Sequence, residues 1–370
     1  MRFFLLFFAV VLVFPILAGC WDQELLKDIR IVFITGIDYA SNGKLESTSL
    51  LRDVTSSEVG KEETNELHTV VGSTPRRMGD ILNMEVGGTY STSKMRVILL
   101  GEEVAKHDIY PMLDIFYRDP KSALNAKIAV VEGTARDIIK IKKTGTLLVG
   151  DHIEKMLESM EKATIIPEIT IQTLCSVMLD PGEDFALPYI INNNNQPAVK
   201  GLALFQNKHM TGKLDKDDAL LYLLMVNKKN HTARITLKVH EEKEPHVRNY
   251  ITIDVENLKR KMKVTVKDNQ IKVNLDLKLK INAIEYPEDD LDEKKVINDL
   301  NDKLSKILTK KSEDIIQKMQ KVNHDGFGIG SQLMAFYPET WKKIKWPEQY
   351  AEVQFNPNVS VEIVNHGIIN

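Results

Sequence analysis

Lys272-Val273-Asn274-Leu275-Asp276-Leu277-Lys278-Leu279-Lys280-Ile281-Asn282 alternates polar and apolar residues without a break. Successive side chains of a strand point to opposite faces, so Val273, Leu275, Leu277, Leu279 and Ile281 share one face. A sheet with one greasy and one wet face is most often antiparallel. The run just upstream repeats the pattern: Met262, Val264 and Val266 alternate within Lys261–Lys267, and Asp268-Asn269-Gln270 supplies the turn. Ala233–Val239 and Val247–Val255 read as two further strands of the same sheet.

An apolar face of this width needs a cover. Downstream, Ile297, Leu300, Leu304, Leu308, Ile315, Met319 and Val322 recur at spacings of three, four or seven, and Ile307 and Ile316 widen the stripe. The spacing predicts one helix over 291–322, roughly 45 Å long at 1.5 Å per residue. A single stripe needs one surface to bury it, so the helix is expected to lie across the sheet. The competing reading is a helix that docks a partner. Gly326-Phe327-Gly328-Ile329-Gly330 follows the helix rather than a strand, which argues against a dinucleotide loop and for a helix stop with Gly326 near the C-cap.

Upstream of the sheet, Gly201–Phe205 reads as a strand with a turn at 207–209, and Asp215 as the cap of a helix over 216–225. The N-terminal half mixes element types. Strands are expected at 29–37, 45–54, 67–72, 94–101 and 126–131. Helices are expected at 75–84, with Thr74 as cap and Pro75 in the first turn, and at 107–117, 134–142 and 151–162. Glu58–Thr64 looks like a loop. Pro167, Pro181, Pro188, Pro197 and the run Asn192–Asn195 break up 164–198, which reads as a small subdomain or connector. The fold class is α+β and multidomain: a mixed α/β N-terminal region over 20–198, then a C-terminal largely antiparallel sheet covered by a long helix over 199–370.

The chain opens differently. Phe3–Ala18 is an apolar run of 16 residues after Arg2, and it ends Leu17-Ala18-Gly19-Cys20. That is shorter than the ~20 residues needed to cross the hydrocarbon core, and Pro15 interrupts it. Small residues before a cysteine suit a lipoprotein signal, with 1–19 removed and Cys20 lipidated through its thiol. A diacylglyceryl group supplies two chains, enough for stable anchoring.

Lys and Arg total 49 and Asp and Glu 52, so the net charge is −3, which speaks against a nucleic-acid partner. With Cys20 lipidated, Cys175 alone remains, and its apolar surroundings suit a core position. No zinc motif, phosphate loop or nucleophile elbow occurs. His240 and His246 sit in a charged turn, and Asp215, Asp217 and Asp218 suit helix capping better than calcium. No catalytic, metal or cofactor residues are expected.

Several segments together resemble the Ger(x)C family, the lipoprotein C subunits of nutrient germinant receptors of spores. They are Gly19-Cys20-Trp21-Asp22 with Glu24-Leu25, Gly36-Ile37-Asp38, Arg118-Asp119-Pro120, Gly201–Phe205, Gly212–Asp215, Asp325–Gly330, Pro338-Glu339-Thr340-Trp341, Trp346 and the closing strand 358–363. Two positions depart from the pattern: Leu204 stands where Val is expected, and Lys213 where Trp is expected. The resemblance implies a non-enzymatic protein on the outer surface of the spore inner membrane, held by Cys20 and working with two integral-membrane subunits. It names no nutrient. The alternatives are a nutrient-binding lipoprotein, which needs a pocket, and a lipid-anchored cell-wall hydrolase, which needs paired carboxylates in a cleft.

Overall fold

A computed structural model describes residues 3–4, 29–52, 65–241, 243–268, 270–346 and 348–367. Cys20, Trp21-Asp22 and the expected loop Glu58–Thr64 lie outside them.

The first half builds a nine-stranded mixed sheet. β1 (Ile29–Tyr39), β2 (Leu45–Arg52) and β3 (Asn65–Gly72) form an antiparallel meander. β4 (Thr89–Ser91) pairs with the start of β1, and β5 (Val97–Gly101) with its later part, both in parallel. β6 (Lys127–Val131) continues the parallel centre. After the small hairpin of β7 (Lys143–Thr144) and β8 (Leu147–Leu148), β9 (Ala186–Asn193) joins β6, and β10 (Gln196–Gln206) and β11 (His209–Asp215) close the edge. Every residue of β5 is buried, as expected of a central parallel strand covered on both faces.

Helices cover both faces. Thr74 Oγ1 accepts from Arg77 N at 3.1 Å and starts the Pro75–Glu85 helix, which buries Met78 and Leu82. The helix expected from residue 107 begins at Tyr110, beside Pro111, and runs to Arg118. Val149–Lys162 packs on the opposite side with Ile153 and Leu157 inward. Asp215 caps Lys216–Met225 by accepting from Asp217 N and Asp218 N.

The segment 164–198 differs from its sequence reading. It holds a helix, Ile171–Met178, with a capping box between Thr170 and Thr173, and the sheet strand β9. Pro188 misleads because proline usually marks a strand edge, yet here it sits inside β9 opposite Leu202. The asparagine run is a two-residue hairpin turn, with Asn194 and Asn195 at φ 51° and 61°. Position 198 falls within β10, so the large sheet runs through it.

The second half forms a sheet in the order β12 (Arg234–Lys238), β13 (Tyr250–Lys267), β14 (Gln270–Glu285), β15 (Gln354–Asn365). β13 is a single 18-residue strand where two were expected, with a bulge between Val255 and Asn257. β15 pairs with β14 in parallel, the one parallel pair of a largely antiparallel sheet.

The long helix spans Lys294–Lys321 and buries Leu300, Leu304, Leu308, Ile315, Ile316 and Met319 in the core formed by the inner faces of β13 and β14. It lies lengthwise along the edge strand. Asn301 Oδ1, Ser305 Oγ and Thr309 Oγ1 accept from the backbone N–H groups of Ile363, Val361 and Val359 at 2.9, 2.9 and 3.0 Å. Four residues of helix advance about 6.0 Å and two of strand about 6.6 Å, so the two periods match over three contacts. An exposed ladder edge invites pairing with another chain, and this helix covers it.

Candidate functional site

Two of the places that gather polar groups among the described residues bear on function and on how the halves join. The first is a recess of about 300 Å³ between the β1–β2 face and the Pro75–Glu85 helix. Thr35 and Ile37 come from β1 and Ser47 from β2; Tyr90, Ser91 and Ser93 come from β4 and the turn after it. Thr35 Oγ1 lies 3.1 Å from Ser47 Oγ and 2.8 Å from Ser49 Oγ, and both strands present these hydroxyls on one face. Tyr90 closes one side. Its backbone N–H donates to Asn83 Oδ1 at 2.9 Å, and burial pushes its phenol up to about 12, so it stays protonated. At the mouth Arg76 bridges Asp80 at 3.3 Å and Asp119 at 3.9 Å.

The recess sits at the lower end of small-molecule pocket sizes. Its lining offers hydrogen bonds from hydroxyls and a charged rim. It holds no histidine or cysteine, and its serine and threonine hydroxyls bond to one another rather than to a base. That arrangement can hold a small polar molecule; it does not activate a nucleophile.

The second place is the joint between the long helix and the large sheet. The helix ends at Val322, and Asn323 takes the left-handed conformation at φ 51°. Asn323, not Gly326, therefore makes the helix stop. Gly326 serves a different need: a Cβ there would lie 2.1 Å from Tyr222 Oη and 2.6 Å from His324 Nε2. His324 is fully buried. Its Nδ1 is 2.6 Å from the Phe205 carbonyl and its Nε2 is 3.2 Å from Tyr222 Oη. A carbonyl only accepts, so Nδ1 carries the proton and Nε2 accepts from the tyrosine. Burial pushes the imidazole down to about 4, which keeps it neutral.

Next to it, Asp325 Oδ1 and Oδ2 accept from Ile329 N and Gly330 N at 3.0 and 2.8 Å. Asp184 Oδ2 accepts from Asp325 N at 2.7 Å and its Oδ1 from Asn207 N at 2.6 Å. Burial pushes Asp325 up to about 7 and Asp184 to about 6, against the pull of these backbone donors. These hydrogen bonds tie the end of the long helix to the strands of the large sheet.

Of the residues singled out from sequence, Cys20 lies outside the described residues, and Cys175 is partly buried and unpaired in any disulfide. Lys213, one of the two departures, sits 4.4 Å over the Tyr189 ring and 2.9 Å from Glu102 Oε1, so it fills a position expected to be aromatic by stacking on an aromatic. His240 bonds to Tyr286 Oη at 3.0 Å. Among the described residues no group of His, Cys, Asp or Glu is placed to hold a metal ion, and no helix is long and apolar enough to cross a membrane. The recess was missed in sequence because its lining comes from segments far apart in the chain. The run of small polar residues Ser47-Thr48-Ser49 within a strand is the signal that could have marked it.

Comparison with known proteins agrees with this architecture. Residues 22–191 match the family model described as spore germination protein N-terminal domain, and residues 200–367 match spore germination B3/GerAC like, C-terminal. Spore germination protein GerQC of Bacillus cereus is 23% identical over 95% of this chain and 96% of its own length. Spore germination protein A3 of Bacillus subtilis is 23% identical over 94% of each chain. The crystal structure of the GerBC protein superimposes with a TM-score of 0.60 at 17% identity, covering 93% of this chain and 100% of that one, so the fold is shared. The chain belongs to the Ger(x)C family of spore germination proteins.

Proposed function

We propose that this protein is a lipid-anchored, non-enzymatic subunit of a nutrient germinant receptor. It is held by Cys20 on the outer surface of the spore inner membrane and acts through contacts with two integral-membrane subunits. The observation that carries the reading is the match of both family models in order along the chain. The Leu17–Cys20 signal supports the anchor. The lack of a base beside any nucleophile in the recess supports a binding role over catalysis. The division near residue 198 is proposed as a boundary between two family segments that share one sheet, since the models meet between 191 and 200. Labelling with a radioactive fatty acid tests the anchor: label on the chain that disappears in Cys20→Ala supports it, and label persisting in the variant contradicts it.

The recess favours a second reading, in which the subunit also takes up a small polar nutrient. Equilibrium dialysis of the chain against amino acids, sugars and nucleosides tests it. Saturable binding weakened by Tyr90→Phe supports this reading, and no binding at millimolar ligand contradicts it.

A further inference from the structure

The outer face of the C-terminal sheet is far more basic than the chain. On β13, Lys259, Lys261, Lys263 and Lys267 point to this side, and all are exposed. Lys272, Lys278 and Lys280 join them from β14. Asp276 and Glu362 are the acids in the same rows, and Glu362 reaches Lys280 at 3.6 Å. The remaining positions hold uncharged polar residues, among them Thr265, Asn274, Gln354, Asn356 and Ser360. The chain as a whole carries −3, so positive charge has been concentrated here.

The arrangement carries a cost. Lys259 stands directly opposite Lys278 in the β13–β14 register, and like charges in that position destabilise a sheet. A folded sheet gains nothing from the pairing; an anion lying on the face would offset it. The rows from 270 to 280 span about 33 Å at ~3.3 Å per residue, across three strands ~4.8 Å apart. The surface is long and open, with no groove. Its cations are all lysines, point charges without the planar fork that reads phosphates two at a time. No aromatic side chain on these rows offers a platform for bases.

We propose that this face lies on an anionic phospholipid bilayer and acts as a second, electrostatic attachment that orients the protein. The choice of a membrane as partner rests on the lipid anchor proposed above. Only eight residues lie between Cys20 and Ile29, nine steps with a reach of about 30 Å at full extension, so an anchored chain keeps its folded body at the bilayer. Under such tethering, weak attraction at each lysine acts at high effective concentration. The opposite face of the sheet is already occupied by the long helix, which leaves this one to meet the surface.

The test uses the full chain on vesicles of phosphatidylcholine alone or with one-third phosphatidylglycerol, exposed to a membrane-impermeant amine acylating reagent. Lys261, Lys263 and Lys278 are expected to react roughly five-fold more slowly on the anionic vesicles at 0.1 M salt. That protection is expected to vanish at 1 M salt, where the screening length falls to about 3 Å. Lys303 and Lys306, exposed on the helix side, are expected to react equally on both. A variant with Lys259→Gln, Lys261→Gln, Lys263→Gln and Lys278→Gln keeps its fold, since all four are exposed. It is expected to lose the protection of Lys272. Equal rates on the two lipids, slowing shared by Lys303 and Lys306, or protection by duplex DNA with none from vesicles would each overturn the proposal. Pelleting with the neutral vesicles reports the anchor separately from the lysine rates.

Discussion

Asp184 and Asp325 hold each other reciprocally: the Asp184 backbone N–H donates to the Asp325 carbonyl at 2.9 Å, and its carboxylate accepts the Asp325 N–H at 2.7 Å. Asp184 leads into the large sheet, and Asp325 follows the long helix. One reciprocal pair thus ties the two halves of the chain beneath a layer formed by Tyr222, His324 and Phe327.

The joint gives the stability a distinctive pH dependence. An acid with a raised folded pKa contributes fully below its unfolded value, near 4, and loses that contribution as pH rises through the folded value. For Asp184 and Asp325 the losses fall near pH 6 and 7. His324 acts in the opposite sense: its contribution is full above about 6.5 and is lost as pH falls toward 4. Two acids against one base leave this joint weaker at pH 7.5 than at pH 5. Thermal melts across that range are expected to show a downward slope from these groups. Asp325→Asn should flatten the slope while lowering the Tm, because an amide accepts only one of the two N–H bonds. His324→Gln should steepen it between pH 4 and 6.5. A slope unchanged by Asp325→Asn contradicts the assignment.

Gly326→Ala should be far more damaging than a typical glycine substitution. The added methyl would stand 2.1 Å from Tyr222 Oη, a group itself fully enclosed. Overpacking of this kind costs about 1–3 kcal/mol or more. Urea titration of the variant measures it, and a change under ~0.5 kcal/mol means that the loop relaxes freely.

The long helix separates two energetic roles. Leu304 is fully buried, so Leu304→Ala should cost about 2–5 kcal/mol. Ser305→Ala leaves the Val361 N–H without its acceptor, at about 1–3 kcal/mol. Loss of that acceptor also bares part of the β15 edge, so the variant should associate at high concentration. Sedimentation velocity checks the association, and denaturant melts check both costs. An unchanged Leu304→Ala melt would make the stripe a docking surface instead.

Much of the architecture was legible where one element carries its own signal. The alternation at 272–282 fixes a half-wet strand, Thr74 and Asp215 announce their helices, and the stripe from Ile297 to Met319 marks the long one. What stayed hidden depends on partners distant in the chain. β9 is a strand despite Pro188 because its neighbours β6 and β10 supply the ladder. The recess draws Thr35, Ser47, Asn83 and Tyr90 from four separate elements. The Asp184–Asp325 pair joins residues 141 positions apart, and no local pattern encodes it. The sequence marks Gly326 only as a glycine after a helix; the close approach of Tyr222 that requires it exists only in three dimensions.

The recess should respond to a change that leaves the core intact. Thr35→Val removes one hydroxyl from the Thr35–Ser47–Ser49 set at nearly constant volume. If a small polar ligand binds there, its Kd should rise about five-fold or more with the loss of one hydrogen bond, while the Tm of the ligand-free chain falls because the buried Ser47 and Ser49 hydroxyls lose a partner. Isothermal titration measures the first and a melt the second.

The most direct test of the proposed role is isolation of the chain, tagged at its C-terminus, from spore membranes in mild detergent. Two integral-membrane subunits are expected to co-purify with it in fixed ratio, and Cys20→Ala is expected to abolish the recovery from the membrane fraction. Recovery of the wild-type chain alone, or in equal yield from membranes when Cys20 is replaced, would contradict the account.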